Sequence, residues 1–330
     1  MSARFWMALL ALLAPAVAFA HTPDYSKLKG PGEFSWGGIS AGWFTWDFHP
    51  SILIGTVTLV ALYVLANTRW RKQYGWSDVP ATPRQRRFFG YSVALLYLTL
   101  DGPLHHLSDD LLFSAHMLQH MLLQLLWAPL LILSIPEWLW AVIVRPRWIH
   151  AFAVKMSRPM TAFFVYNGVV WGWHYPNFYE TALEQHGWHI FQHLLFMAVS
   201  LQTWFVVLGP LTELRPTYGA RMVFIFAHMV AMKALGLTIS LSDHVLYPFY
   251  ARAPRLFGID ALGDQQLGGM LMWLPGGGVL WAGLGRVWWQ WVRKGTPAKG
   301  LTGIPAVDAA RAAGRAAQAA EAAAGQRSAG

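Results

Sequence analysis

The chain of 330 residues contains no cysteine. That excludes disulfides, thiolate metal sites, iron–sulfur clusters and cysteine nucleophiles together, so any metal chemistry must draw on His, Met and carboxylates. Charge is also scarce: Asp, Glu, Lys and Arg make up 12% of the chain, about half of what a soluble domain carries. No Ser-His-Asp constellation and no phosphate-cradling glycine loop is recognisable. Pro275-Gly276-Gly277-Gly278 lies inside an apolar run and reads as a kink or a close helix contact.

What the chain has in quantity is apolar and aromatic surface, with 55% hydrophobic residues, 19 Trp, 19 Phe and 11 Tyr. The apolar residues gather into runs long enough to cross a bilayer, which predicts an all-α fold: a polytopic membrane helical bundle of about seven transmembrane helices after an N-terminal signal peptide. Residues 1–20 carry one early positive charge, Arg4, then an apolar stretch, then Ala18 and Ala20, and read as a secretory signal peptide, an uncleaved anchor helix being the alternative. Residues 21–50 form an exported polar segment, 51–295 the transmembrane domain, and 296–330 an Ala-rich cytoplasmic tail with no wide apolar face. The expected spans are 51–67, 88–104, 111–135, 160–175, 187–209, 220–241 and 268–291, the third kinked by Pro129 and ended by Pro136.

Most Lys and Arg fall in the first, third and fifth loops and after the last span, including Arg69, Arg71, Lys72, Arg84, Arg86, Arg87, Arg145, Arg147, Lys155 and Arg158. The positive-inside rule places those segments in the cytoplasm, with the mature N-terminus outside and the C-terminus inside a plasma (inner) membrane. The net charge of +9 is thereby explained by orientation in the lipid bilayer, and nucleic acid is not an expected partner. Lys233 is an isolated cation inside the sixth span, for which Asp101 or Asp264 is the expected counter-charge.

His116-Met117-Leu118-Gln119-His120 opens the third span and His189-Ile190-Phe191-Gln192-His193 the fifth. A spacing of four residues puts both imidazoles of each pair on one helix face, close enough to chelate one metal, and both pairs fall in the outer half of the membrane. Around them on the same side lie His105, His106, His174, His186 and His244. His228 and Met232 stand one turn apart in the sixth span, and Met270 and Met272 follow Asp264-Gln265-Gln266 in the last. Met117 and Met121 lie off the His face and read as packing residues. Intramembrane imidazoles facing a bundle interior are candidate functional groups, although each pair alone could serve as helix–helix hydrogen-bonding glue. Imidazole and thioether donors facing an oxidising compartment suit copper best; zinc remains possible, and a bis-His haem could use His120 and His193.

His116 to Leu123 followed by Ala128-Pro129-Leu130-Leu131, Trp173-His174-Tyr175-Pro176 with Tyr179, His189 to His193, and Asp264-Gln265-Gln266-Leu267-Gly268-Gly269-Met270-Leu271-Met272-Trp273 together resemble the CtaG family. These are polytopic membrane assembly factors of cytochrome c oxidase, distinct from a single-span copper chaperone with essential Cys. The resemblance implies a non-enzymatic chaperone of the respiratory chain that helps copper reach the catalytic subunit of cytochrome c oxidase. The expected metal-handling residues are His116, His120, His189 and His193, with His228, Met232, Met270 and Met272 as lesser candidates. The alternatives are a bis-His haem-binding redox protein and a scaffold whose histidines only join helices.

Overall fold

A computed structural model describes residues 49–294. The expected signal peptide, nearly all of the exported segment and the tail lie outside the described residues. The described chain is helical, with no strand among its residues. It divides into two compact units, residues 1–284 and 285–330. In the second, the guanidinium of Arg293 lies over the Trp289 ring at 5.1 Å.

Among the described residues, five helical segments are long and apolar enough to cross a membrane: Pro50–Gln73, Phe113–Ser134, His186–Leu208, Tyr218–Ser240 and Ala261–Arg293. The expected second and fourth spans are helical but fall short of that standard. Helix α2 (Pro83–Asp101) begins with Arg84, Arg86 and Arg87, started by a capping box in which Thr82 and Gln85 bond each other's backbone. Helix α8 (Pro159–Trp173) has 15 residues, about 22 Å at the α-helical rise. The remaining helices are α1 (Pro50–Leu65), α3 (Pro103–Asp110), α4 (Phe113–Met121), α5 (Ala128–Ser134), α6 (Glu137–Ile143), α7 (Arg147–Met156), α9 (Pro176–Glu184), α10 (His186–Leu208), α11 (Tyr218–Ser240), α12 (Pro248–Arg252) and α13 (Ala261–Lys294).

The segment Phe113–Ser134 is the innermost of the five, 67% buried over its apolar window against 17% for Pro50–Gln73. Its irregularity precedes the proline. Leu122–Trp127 is a wide π-turn between α4 and α5, and Pro129 has no N–H to give to the carbonyl one turn back. The carbonyl of Gln124, inside that turn, accepts instead from the Trp204 indole at 2.8 Å. An intramembrane chain must answer its backbone groups internally, and a π-turn with a side-chain donor does so.

How α4 begins is set from a distant part of the chain. The buried carboxylate of Asp264, in the first turn of α13, accepts from the backbone N–H groups of Phe113 at 2.7 Å and Ser114 at 3.1 Å, and from the Ser114 hydroxyl. An anion at a helix N-terminus answers orphan donors and the positive end of the dipole together. Helices α11 and α13 meet through glycine: a Cβ on Gly269 would lie 2.5 Å from the Ser240 hydroxyl and 2.8 Å from the Gly236 carbonyl, so only a residue without a side chain permits this approach. Asp264 is thus committed to α4, and Asp101 accepts from His49. Neither serves Lys233, contrary to the sequence expectation. Lys233 sits on the exposed face of α11 with its ammonium 5.4 Å from the centre of the Trp273 ring, where the flexible stem lets the charge leave the interior.

Asp264→Ala removes an acceptor shared by three donors and should cost about 1–3 kcal/mol, seen as a lower melting temperature of the detergent-purified protein. Unchanged melting would show that α4 starts without this clamp.

Candidate metal centre

Helices α4 and α10 each carry a His pair in their first turns, and the fold lays the two pairs against each other. His116 and His120 are 0% and 1% exposed, His189 and His193 7% and 8%. The rings of His116 and His189 stack at 5.4 Å, and those of His120 and His193 stand 4.9 Å apart. Ligand nitrogens of His116, His189 and His193 lie within 4.8 Å of one another. Within the pairs, the Nε2 atoms of His116 and His120 are 3.0 Å apart and those of His189 and His193 2.8 Å. Two nitrogens that bind one ion at about 2.0–2.1 Å in tetrahedral geometry are separated by roughly 3.3 Å, close to what the apposed pairs already offer.

The neighbours determine which nitrogen of each ring carries hydrogen. The Tyr250 hydroxyl donates to the Ser108 carbonyl at 2.9 Å, so the oxygen that meets His116 Nδ1 at 3.0 Å must accept. His116 is therefore protonated at Nδ1, and its Nε2 lone pair faces the cluster. His189 turns Nδ1 towards the Asp109 carboxylate at 3.6 Å, and His174 turns Nδ1 towards the Val170 carbonyl at 2.7 Å. His174 then presents Nε2 as a lone pair, and the anion beside Nδ1 of His189 favours the same tautomer there. With no ion, the Nε2–H groups of His120 and His193 can donate to His116 and His189. Were an ion to bind, those hydrogens would have to move to Nδ1, which in both rings is buried without a partner among the described residues. That shift would leave an Nε2 lone pair on each of the two rings without any net loss of protons.

Asp109, on α3, supports the arrangement. One oxygen faces His189 and the other lies 3.4 Å from His105 Nδ1. The Ser108 hydroxyl approaches Asp109 at 3.0 Å and Gln119 at 3.1 Å, and Gln119 donates to the Thr99 carbonyl at 2.9 Å. Burial acts to raise the Asp109 pKa, but His105, His189, His116 and His193 outweigh it and hold the carboxyl well below the usual range. The carboxylate is therefore an anion beside the imidazoles. Burial pushes the Tyr250 and Tyr179 phenols well above their ordinary pKa, so both stay neutral next to the cluster.

The other expected residues separate. His174, ring centroid 6.5 Å from His120, joins the rim. His228 is buried elsewhere, boxed by the rings of Phe224, Tyr166 and Phe163 at 4.2, 5.1 and 5.2 Å. The sulfur of Met232 lies against Gly276 of α13, beside that of Met121. Met272 is 1% exposed and buried, whereas Met270 is 38% exposed and faces outward, so its thioether points away from the interior. His244 pairs with the neighbouring Asp243 at 2.8 Å on the surface. Sequence reasoning missed Asp109 and Tyr250. The four-residue spacing of His105 and Asp109 could have flagged the first; nothing local marks the second, which arrives from α12.

Residues 61–294 match the family described as cytochrome c oxidase caa3 assembly factors (Caa3_CtaG). No curated protein and no solved structure matches the chain.

Replacing a carboxylate that holds a metal-binding imidazole weakens metal affinity by about 10–100-fold. If the histidine cluster takes up copper, Asp109→Asn should shift the competition of a chromogenic chelator for it by that factor. An unshifted competition curve would remove Asp109 from the centre.

Proposed function

Since the chain belongs to the family of cytochrome c oxidase caa3 assembly factors, we propose that it takes up copper at the exported side of the membrane and passes it to the catalytic subunit of the oxidase. The ion is cargo, and the residues that hold it are His116, His120, His189 and His193, with Asp109 orienting His189. The observation that carries this reading is that ligand nitrogens of His116, His189 and His193, from two helices, lie within 4.8 Å of one another, with His120 Nε2 3.0 Å from His116 Nε2 and the Nε2 lone pair of His116 turned inward by Tyr250 and Ser108. Imidazole without thiolate suits copper, and a histidine site gives up its metal to a partner more readily than a closed thiolate cage does. The positive-inside distribution supports an N-terminus outside and a C-terminus inside a plasma (inner) membrane, with the cluster on the exported side. The role is that of a chaperone rather than an enzyme. Of the lesser ligands, His228, Met232 and Met272 are buried deeper in the bundle, and Met270 has no support as a ligand.

A haem between His120 and His193, the other reading of the paired imidazoles, would need the macrocycle between two rings whose centroids stand 4.9 Å apart, with Phe196 packed against His120 at 4.9 Å. Axial imidazoles approach a haem iron from opposite faces, and this crowding favours a bare ion.

The test is metal analysis of purified protein after exposure to copper and desalting. Wild type should retain copper, and the double variant His116→Ala/His120→Ala should lose it while keeping its elution position. Equal copper in both would discard the site, and a Soret band in the purified protein would favour the haem reading.

A further inference from the structure

The cluster is not the inner limit of the polar interior. Helix α10 continues inward with Phe196, Ser200 and Thr203 on the buried face that holds His189 and His193. Facing it, the π-turn presents Gln124, whose amide oxygen accepts from the Tyr166 hydroxyl at 2.7 Å and whose carbonyl accepts from Trp204 of α10 at 2.8 Å. Tyr166 in turn packs on His228, ring centroids 5.1 Å apart. Imidazole, amide, phenol and imidazole thus follow one another from His120 to His228 through the middle of the helices.

Several of these groups have nothing to bind. The Oγ of Ser200, Oγ1 of Thr203, Nε2 of Gln124 and Nε2 of His228 are buried without a partner among the described residues. Hydroxyls inside membrane helices ordinarily donate to the carbonyl one turn back, and Thr68, Thr238 and Ser240 here do so at 2.6, 2.9 and 2.8 Å. Ser200 and Thr203 do not. His228 gives Nδ1–H to the Phe224 carbonyl at 3.0 Å, which leaves a lone pair on Nε2. In a lipid-surrounded interior each unanswered polar group costs free energy, and that cost is relieved by water or a passing cation. The file also has an inner stop. Arg221, two turns before His228 on the same face of α11, is 3% exposed and donates to the Val207 carbonyl at 3.0 Å. A fixed positive charge at the end of a polar passage repels cations.

We propose that a file of polar groups runs inward from the histidine cluster through Gln124, Ser200 and Thr203 to His228, ends at Arg221, and opens to water and small cations from the exported face. The sulfurs of Met121 and Met232, both against Gly276, offer soft donors at that depth to a cuprous ion. The inference rests on the reading of the cluster as a copper-receiving site, to which it adds a route into the membrane.

Because the chain has no cysteine, a single introduced thiol reports on its own position. Ser200→Cys and Thr203→Cys, nearly isosteric, would be made in the full chain, reconstituted in vesicles and treated from the exported side with the small cationic reagent methanethiosulfonate ethylammonium. A thiol reacts as thiolate, which apolar surroundings suppress, so both should react at least about tenfold faster than Leu194→Cys on the exposed face of α10, each rate normalised to the unfolded chain. Rates equal to or below that of Leu194→Cys at both positions would overturn the file. Copper retained by the cluster alongside inert thiols removes the file alone. Reactive thiols in a chain that retains no copper leave the file and remove the metal reading.

Discussion

An imidazole carried out of water into a helical bundle must have its nitrogens answered, and four side by side multiply that demand. Where α4 and α10 begin, the fold is arranged around meeting it. Ser108 and Tyr250 fix the hydrogen of His116, Asp109 faces that of His189, and each of the two remaining rings meets its partner one turn away on the same helix. Each ring is thereby left with one nitrogen directed at its neighbours. A packing role alone would be met by a single His bonding across two helices. Ligand nitrogens of His116, His189 and His193 within 4.8 Å of one another, with Asp109 alongside, could hold a cation, whose charge the anion would partly offset.

The convergence depends on how the helices start. Asp264 clamps the first amides of α4 and so determines which face His116 and His120 present. The same carboxylate begins α13, whose glycines let it approach α11 and receive Phe113 and Met117 against Gly268. One turn beyond His120 the helix widens into a π-turn, which directs Gln124 inward and frees its carbonyl for Trp204. The polar groups of the interior are therefore positioned by interruptions of regular helix, each compensated by a side chain from another span.

Much of this was legible in the sequence because it is local. The two HxxxH pairs declare a shared face by spacing alone, and the apolar runs declare helices. What was not legible comes from tertiary partnership. Asp264 read as a counter-charge for Lys233, yet its energy goes to three donors at the start of α4, while Lys233 turns outward over Trp273. Met270 and Met272 looked equivalent, but a separation of two residues on a helix turns one side chain away from the interior that holds the other. Tyr250 lies far from His116 in sequence, and no pattern within α12 announces its hydrogen bond. The expected second span starts earlier than its apolar run because the Thr82–Gln85 capping box lies outside that run.

On the proposed reading, the site must order around its cargo without enclosing it. Paired imidazoles whose mutual hydrogen bonds a metal could replace, with a carboxylate beside one ring, fit that proposal. X-ray absorption at the copper edge of the loaded, purified protein examines it most directly. The account predicts a first shell of nitrogen at about 2.0 Å with the outer-shell scattering of imidazole rings, lost when His189 and His193 are replaced by alanine. A shell lacking imidazole scattering, or one unchanged by that replacement, would contradict it.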